Sequence, residues 1–192
     1  MFKKTVFILS ASLMMCLSLV AQEKTPGVRA KLLLEGGLEY GGDELLQVFF
    51  TNGEDQVMRA GQGGFLSVGG QLDFPKIKQL MLRGGIGWKY NTTAADDANI
   101  RFTRLPMYLM PFYKINENFR FGAGITTHQS VRFKGDGFVP DADMTSNLGA
   151  RFEFGYKWIA LTYTSIKYTL PNSEVLSGSS IGVALSFTIP GS

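Results

Sequence analysis

The stretch Leu80–Tyr90 alternates from end to end. Leu80, Leu82, Gly84, Ile86, Trp88 and Tyr90 form one set, apolar and ending in aromatics; Met81, Arg83, Gly85, Gly87 and Lys89 form the other, mostly small or cationic. Successive side chains of a strand leave opposite faces, so this is a strand period and not a helical one. A tilted strand needs about 9–11 residues to cross a bilayer. An apolar face with aromatic ends, backed by a face of charge and glycine, predicts one stave of a transmembrane β-barrel, with lipid outside and a polar lumen inside.

The chain opens with Lys3 and Lys4, an apolar run over Val6–Val20, and Leu19-Val20-Ala21 before Gln22. This is the plan of a cleavable Sec-type signal peptide over 1–21. The alternative, an N-terminal membrane anchor, needs a longer apolar run. Cys16, the one cysteine, lies inside that run after Met15; a lipoprotein signal places a small residue there, so no lipidation is expected, and the mature chain is expected to hold no thiol. Taking 21 signal residues from 192 leaves 171, enough for a single barrel domain over 22–192. Removing Lys3 and Lys4 from the 19 basic residues leaves 17 against 16 acidic. The basic pI therefore partly reflects the signal and implies no nucleic-acid partner. A soluble β-sandwich would share the alternation, but it has no need of aromatics at strand ends.

Eight segments are long enough to span: Lys31–Tyr40, Gly64–Phe74, Leu80–Tyr90, Ile100–Tyr113, Phe119–Arg132, Ser146–Tyr156, Ile159–Tyr168 and Ser180–Ile189. Their connections alternate long and short. Bacterial barrels have short periplasmic turns and long external loops, so the turns at Pro75, Glu117 and Lys157 are expected in the periplasm and the 42–63 loop outside. Within that loop, Asn52-Gly53 is a type I′ turn signal and predicts a β-hairpin over 44–60 standing in an extended loop. Its arms are too short to span; counting them as staves would give ten strands. The segments 134–145 and 171–178 read as loops. Pro106 and Pro111 are awkward for a ladder, and their odd separation puts them on opposite faces.

The inward set holds Lys31, Glu35, Glu39, Asp73, Arg83, Lys89, Arg104, Arg120, Arg132, Arg151 and Glu153. Eight strands leave room only for side chains, and buried charges must pair. The expectation is a filled polar lumen with no large pore; a narrow porin-like solute channel is the alternative. His128-Gln129-Ser130 puts the one histidine two residues before a serine, on one face by periodicity. A serine nucleophile needs a histidine base and an orienting acid, and Asp141, Asp143 and Glu153 are available. The pair is similar to the His-x-Ser of outer-membrane lipid A deacylases, but an inward-facing pair is away from a lipid substrate. No clustered His and Cys offer a metal site, and the Gly-x-Gly runs lie in strands, where they serve close packing. No catalytic, cofactor or metal residue is expected.

Eight alternating segments and the last strand, Val183-Ala-Leu-Ser-Phe187, resemble the small outer-membrane β-barrel proteins of OmpA/OmpX type over the mature chain. The resemblance implies an all-β fold, an eight-stranded antiparallel up-and-down barrel in the outer membrane of a Gram-negative bacterium. It implies insertion by the barrel-assembly machinery, a monomer embedded in lipid, and a non-enzymatic role in which the external loops or the 44–60 hairpin meet an unknown extracellular ligand.

Overall fold

The computed structural model describes residues 27–49, 55–92 and 99–190. The expected signal peptide and the Asn52-Gly53 turn lie outside them. In chain order the strands are β1 (Arg29–Tyr40), β2 (Glu44–Phe49), β3 (Asp55–Arg59), β4 (Gly63–Asp73), β5 (Leu80–Thr92), β6 (Arg101–Lys114), β7 (Phe119–Lys134), β8 (Ala142–Ser146), β9 (Gly149–Tyr156), β10 (Ile159–Ser165), β11 (Lys167–Thr169), β12 (Val175–Ser177) and β13 (Ser180–Ile189). Antiparallel pairing runs β1-β4-β5-β6-β7-β9-β10-β13 and returns to β1, which makes a closed eight-stranded barrel. Among the described residues the short arms β2 and β3 pair only with each other, so the ten-strand count does not apply.

The alternation sets the two faces. On β1, Leu33, Glu35 and Glu39 are buried while Leu32, Leu34, Leu38 and Tyr40 are exposed; on β5, Met81, Arg83 and Lys89 are buried while Leu80, Ile86 and Trp88 are exposed. The outer surface is a belt of large apolar side chains, with Leu38 and Leu66 more than 70% exposed. Pro106 faces in and Pro111 out. The β5–β6 ladder steps from Ile86↔Met107 to Lys89↔Arg104 around Pro106, and the β6–β7 ladder from Leu109↔Ile125 to Phe112↔Gly122 around Pro111. Each proline interrupts a different neighbour, because N–H groups along a strand point alternately to its two sides.

Two segments expected as loops carry strand. Residues 142–146 are β8, which continues the β9 stave along β7. Residues 175–177 are β12, which folds back on β11. The break between β8 and β9 is bridged by Asn147, whose Oδ1 accepts the Lys167 N–H at 2.8 Å. Within the remaining 135–141 turn, the Asp141 carboxylate takes Lys134 Nζ at 2.7 Å and the Gly135 N–H at 2.9 Å; both hold its pKa below the ordinary aspartate value.

One strand departs from strict parity. Between β6 and β7 the register passes from Thr103↔Arg132 to Leu105↔Gln129, which leaves one extra residue on β7. The bulge falls at Ser130, whose φ is +48°. An extra residue inverts the facing of everything beyond it. Val131 and Phe133 therefore point inward, while Ser130 and Arg132 point outward, against the expectation for both. Arg132 lies on the outer surface, 3.7 Å from Asp143. A left-handed φ suits glycine and penalises a β-branched residue. Ser130→Val should therefore destabilise the barrel by about 1–2 kcal/mol, whereas Ser130→Gly should fold as well as the parent. Urea titration in detergent, read by heat-modifiable gel mobility, checks both.

Candidate functional site

The short turns gather at one end of the barrel, here the turn end; the β2–β3 hairpin and the longer connections gather at the other, the loop end. Between them the inward rows stack in levels, each with its own way of satisfying cations. Nearest the turn end, Lys31 and Lys114 share Asp73, at 3.4 and 2.8 Å, and Gln71 Nε2 donates to the same carboxylate at 3.1 Å.

One level in, Arg120 donates from Nε and Nη2 to Glu153 Oε1 at 3.2 and 2.9 Å and from Nη1 to the Lys157 carbonyl. Arg83 donates from Nε to Gln71 Oε1 at 2.8 Å; its Nη1 lies 3.6 Å from Glu153 and 3.9 Å from Glu35. Both arginines also donate to Ser186 Oγ, at 3.3 and 3.0 Å. The Tyr108 hydroxyl donates to Glu35. Arg151 is held differently. Its guanidinium lies 5.5 Å from the Phe65 ring centre and 5.0 Å from that of Tyr108, its Nε and Nη2 have no hydrogen-bond partner, and it makes no ion pair within 4 Å among the described residues. Aromatic faces attract a desolvated cation; here they stand where alternation alone suggested a carboxylate.

Toward the loop end, Lys89 Nζ pairs with Glu39 and donates to the Gly61 carbonyl at 2.5 Å, and Ser180 Oγ donates to Glu39 at 3.1 Å. Arg104 stacks 4.2 Å from the Phe102 ring centre and donates to the Ala60 carbonyl and, at 2.5 Å, to the Gln62 carbonyl. Two lumen cations thus grip the backbone at the root of the hairpin. Above them, Met58 and Ala60 pack with Ile100, Phe102, Val131, Phe133, Met144, Ile166 and Tyr168, and Leu45, Leu46 and Val48 of the hairpin join them. The hairpin is expected from the sequence to stand in an extended loop; it is folded over the barrel mouth instead. Met58 is the signal for this, a large apolar residue that faces the barrel end and not the outer apolar belt.

The proposed histidine–serine pair is not assembled. His128 is buried with Nδ1 2.5 Å from the Tyr168 hydroxyl, whereas Ser130 points outward at the bulge. Asp141 and Asp143 lie on the outer surface with Lys134 and Arg132, and Glu153 is bound by Arg120 and Arg83. Of the inward set read from the sequence, every member except Arg132 faces the lumen. Among the described residues, no group of three or more His, Cys, Asp or Glu is placed to hold a metal.

Truncating one partner of a buried pair leaves the other stranded, at about 3–5 kcal/mol. Arg83→Met should therefore lower the unfolding temperature in detergent sharply, by leaving Glu35 with the Tyr108 hydroxyl but no cation within 4 Å among the described residues, and Glu153 with Arg120 alone. Arg151→Met should cost less, since it removes a cation held by rings and puts an apolar chain between them. Lys134→Met, in an exposed pair, should change stability by less than about 1 kcal/mol. Thermal melts of the three variants followed by circular dichroism check this order.

No protein-family profile and no curated protein matches the chain. The solved structures it is similar to include two of Ail, the attachment invasion locus protein of Yersinia pestis. One, in complex with the heparin analogue sucrose octasulfate, is 11% identical, with 83% of this chain and 99% of that chain covered and a TM-score of 0.42. The other, in a phospholipid bilayer nanodisc, is 11% identical, with 83% and 100% covered and a TM-score of 0.36.

Proposed function

We propose that the chain is an integral outer-membrane β-barrel protein, a monomer of structural or surface-interaction type, with a side-chain-filled lumen and no large pore. The observation that carries this reading is the pairing of an exterior belt of large apolar side chains with interior rows of charges held by ion pairs, carbonyls and, for Arg151, ring faces. An apolar surface of that extent on a soluble monomer would drive association; in a bilayer it is the lipid-facing surface. The interior is stopped twice, by the Arg83–Glu35–Glu153–Arg120 level and by the hairpin over the loop end. In this reading the chain is exported by the 1–21 signal, inserted by the barrel-assembly machinery, and presents the outer face of the hairpin and the 135–141 and 171–174 turns to the exterior. No observation favours a lipid-modifying enzyme, because His128 and Ser130, which would form its site, are on different faces of β7.

Cell fractionation should place the protein in the outer membrane, released by detergent and not by salt or carbonate. Purified protein in planar bilayers should show no stable porin-scale conductance. Recovery as a soluble periplasmic protein overturns the membrane reading, and a large stable pore overturns the filled lumen.

A further inference from the structure

The two ends of the barrel are built differently. The loop end is closed by an apolar cluster, whereas at the turn end a cavity of about 800 Å3 opens between the strand ends, within the size range of small-molecule sites. Its wall carries Lys31, Arg83, Lys114, Arg120 and Lys157, and among the described residues Glu117 is the one carboxylate on it. Asp73 and Glu153, which pair with these cations, are not on the wall. The four cations that project from strands share those two carboxylates, with Glu35 reached only at 3.9 Å from Arg83. Ser186 Oγ, which both arginines share, is neutral and also lies on the wall. Arg83 and Arg120 are more than nine-tenths buried, so solvent screens their excess charge poorly.

We propose that this cavity is a binding site for a small multivalent oxyanion of phosphate type, free or carried on a small molecule, that enters from the turn end. The lysine ammonium groups at the rim supply N–H donors and charge that match such oxygens, and the two guanidinium groups behind them, held by their own partners, add to the positive field. Trp158 and Phe119, also on the wall, give an organic body an apolar surface to lie against. The site needs the closed barrel but neither its location nor its failure to conduct. A conducting channel in planar bilayers would sink the reading above and leave this one standing.

The test is isothermal titration of the refolded full-length mature chain in zwitterionic detergent, at fixed ionic strength in chloride, with inorganic phosphate, pyrophosphate and glucose 6-phosphate as probes. The expected result is saturable binding of pyrophosphate, one per barrel. Lys31→Gln and Lys114→Gln should each weaken it about tenfold, the worth of one charge-assisted hydrogen bond. Each leaves the other lysine on Asp73, so neither variant strands the acid. Lys134→Gln, at the far end, should bind as the parent does. Glucose 6-phosphate binding tighter than inorganic phosphate would assign a phosphorylated small molecule; the reverse order would assign the free ion. Absence of saturable binding for all three probes, affinity unchanged in both rim variants, or an equal loss in Lys134→Gln would overturn the proposal.

Discussion

A strand edge left open in apolar surroundings strands a row of N–H and C=O groups at several kcal/mol each. The ladder between the first and last strands, from Leu32↔Ile189 to Tyr40↔Ile181, removes that edge. Everything else depends on this closure. Once the ring is shut, each side chain has one of two destinations, and alternation decides which. Closure also asks for close approach of neighbouring backbones. At Gly69 a Cβ would fall 2.0 Å from the Gly84 carbonyl oxygen, and at Gly37 it would fall 2.3 Å from that of Val183. Both are inward positions where any other residue would force the sheet apart.

A ring this small leaves an interior that must be filled by what the inward rows carry. The solution differs by level because the available partners differ. Near the turn end carboxylates serve two cations each. In the middle Arg151 exchanges hydrogen bonds for ring faces, a use open to a planar guanidinium and poorly suited to a compact ammonium. Toward the loop end Arg104 takes two main-chain carbonyls, which its forked donors can reach together. The lumen is therefore more than a set of acid–base pairs, and a count of charges would have understated how many ways a buried arginine can be satisfied.

Strand positions, the closing order and nearly all facings were legible in the sequence, because the outward rows are apolar for the length of a membrane crossing and the inward rows are not. The reading failed where that logic changes. Above the barrel wall the chain reverts to the pattern of a soluble protein: Phe102, Val131, Phe133, Met144 and Tyr168 turn inward to a dry cluster, and Arg101, Thr103, Arg132 and Lys134 turn outward. Alternation carried unbroken along β7 puts Arg132 inward, and the extra residue at Ser130 turns it out. The bulge at Ser130 hid the change, since serine carries none of the signal that glycine would give at a positive φ. The partners of the lumen cations were illegible for a different reason. Facing follows from period, but which strand end meets which depends on register, and register is a property of the closed ring.

The hairpin links the two zones. Arg104 and Lys89 rise from the lumen and hold it by the carbonyls of Ala60, Gly61 and Gln62, so the grip is on main-chain oxygens and indifferent to the side chains of the hairpin. Its inner row and its root remain constrained, with Leu45, Leu46 and Val48 packed against the cluster. Met58 and Ala60 must be apolar to join the cluster, and position 61 has no room for a side chain, since a Cβ there would lie 2.4 Å from the Ser179 carbonyl oxygen. On the outward face of β3, Arg59 adds a tie to the rim, donating from Nε to the Tyr40 hydroxyl at 3.2 Å and from Nη1 to the Gly42 carbonyl at 3.3 Å. A hairpin anchored through its backbone, its inner row and Arg59 is less constrained over the rest of its outward face, and this separates much of what the loop end can present from what keeps the barrel closed.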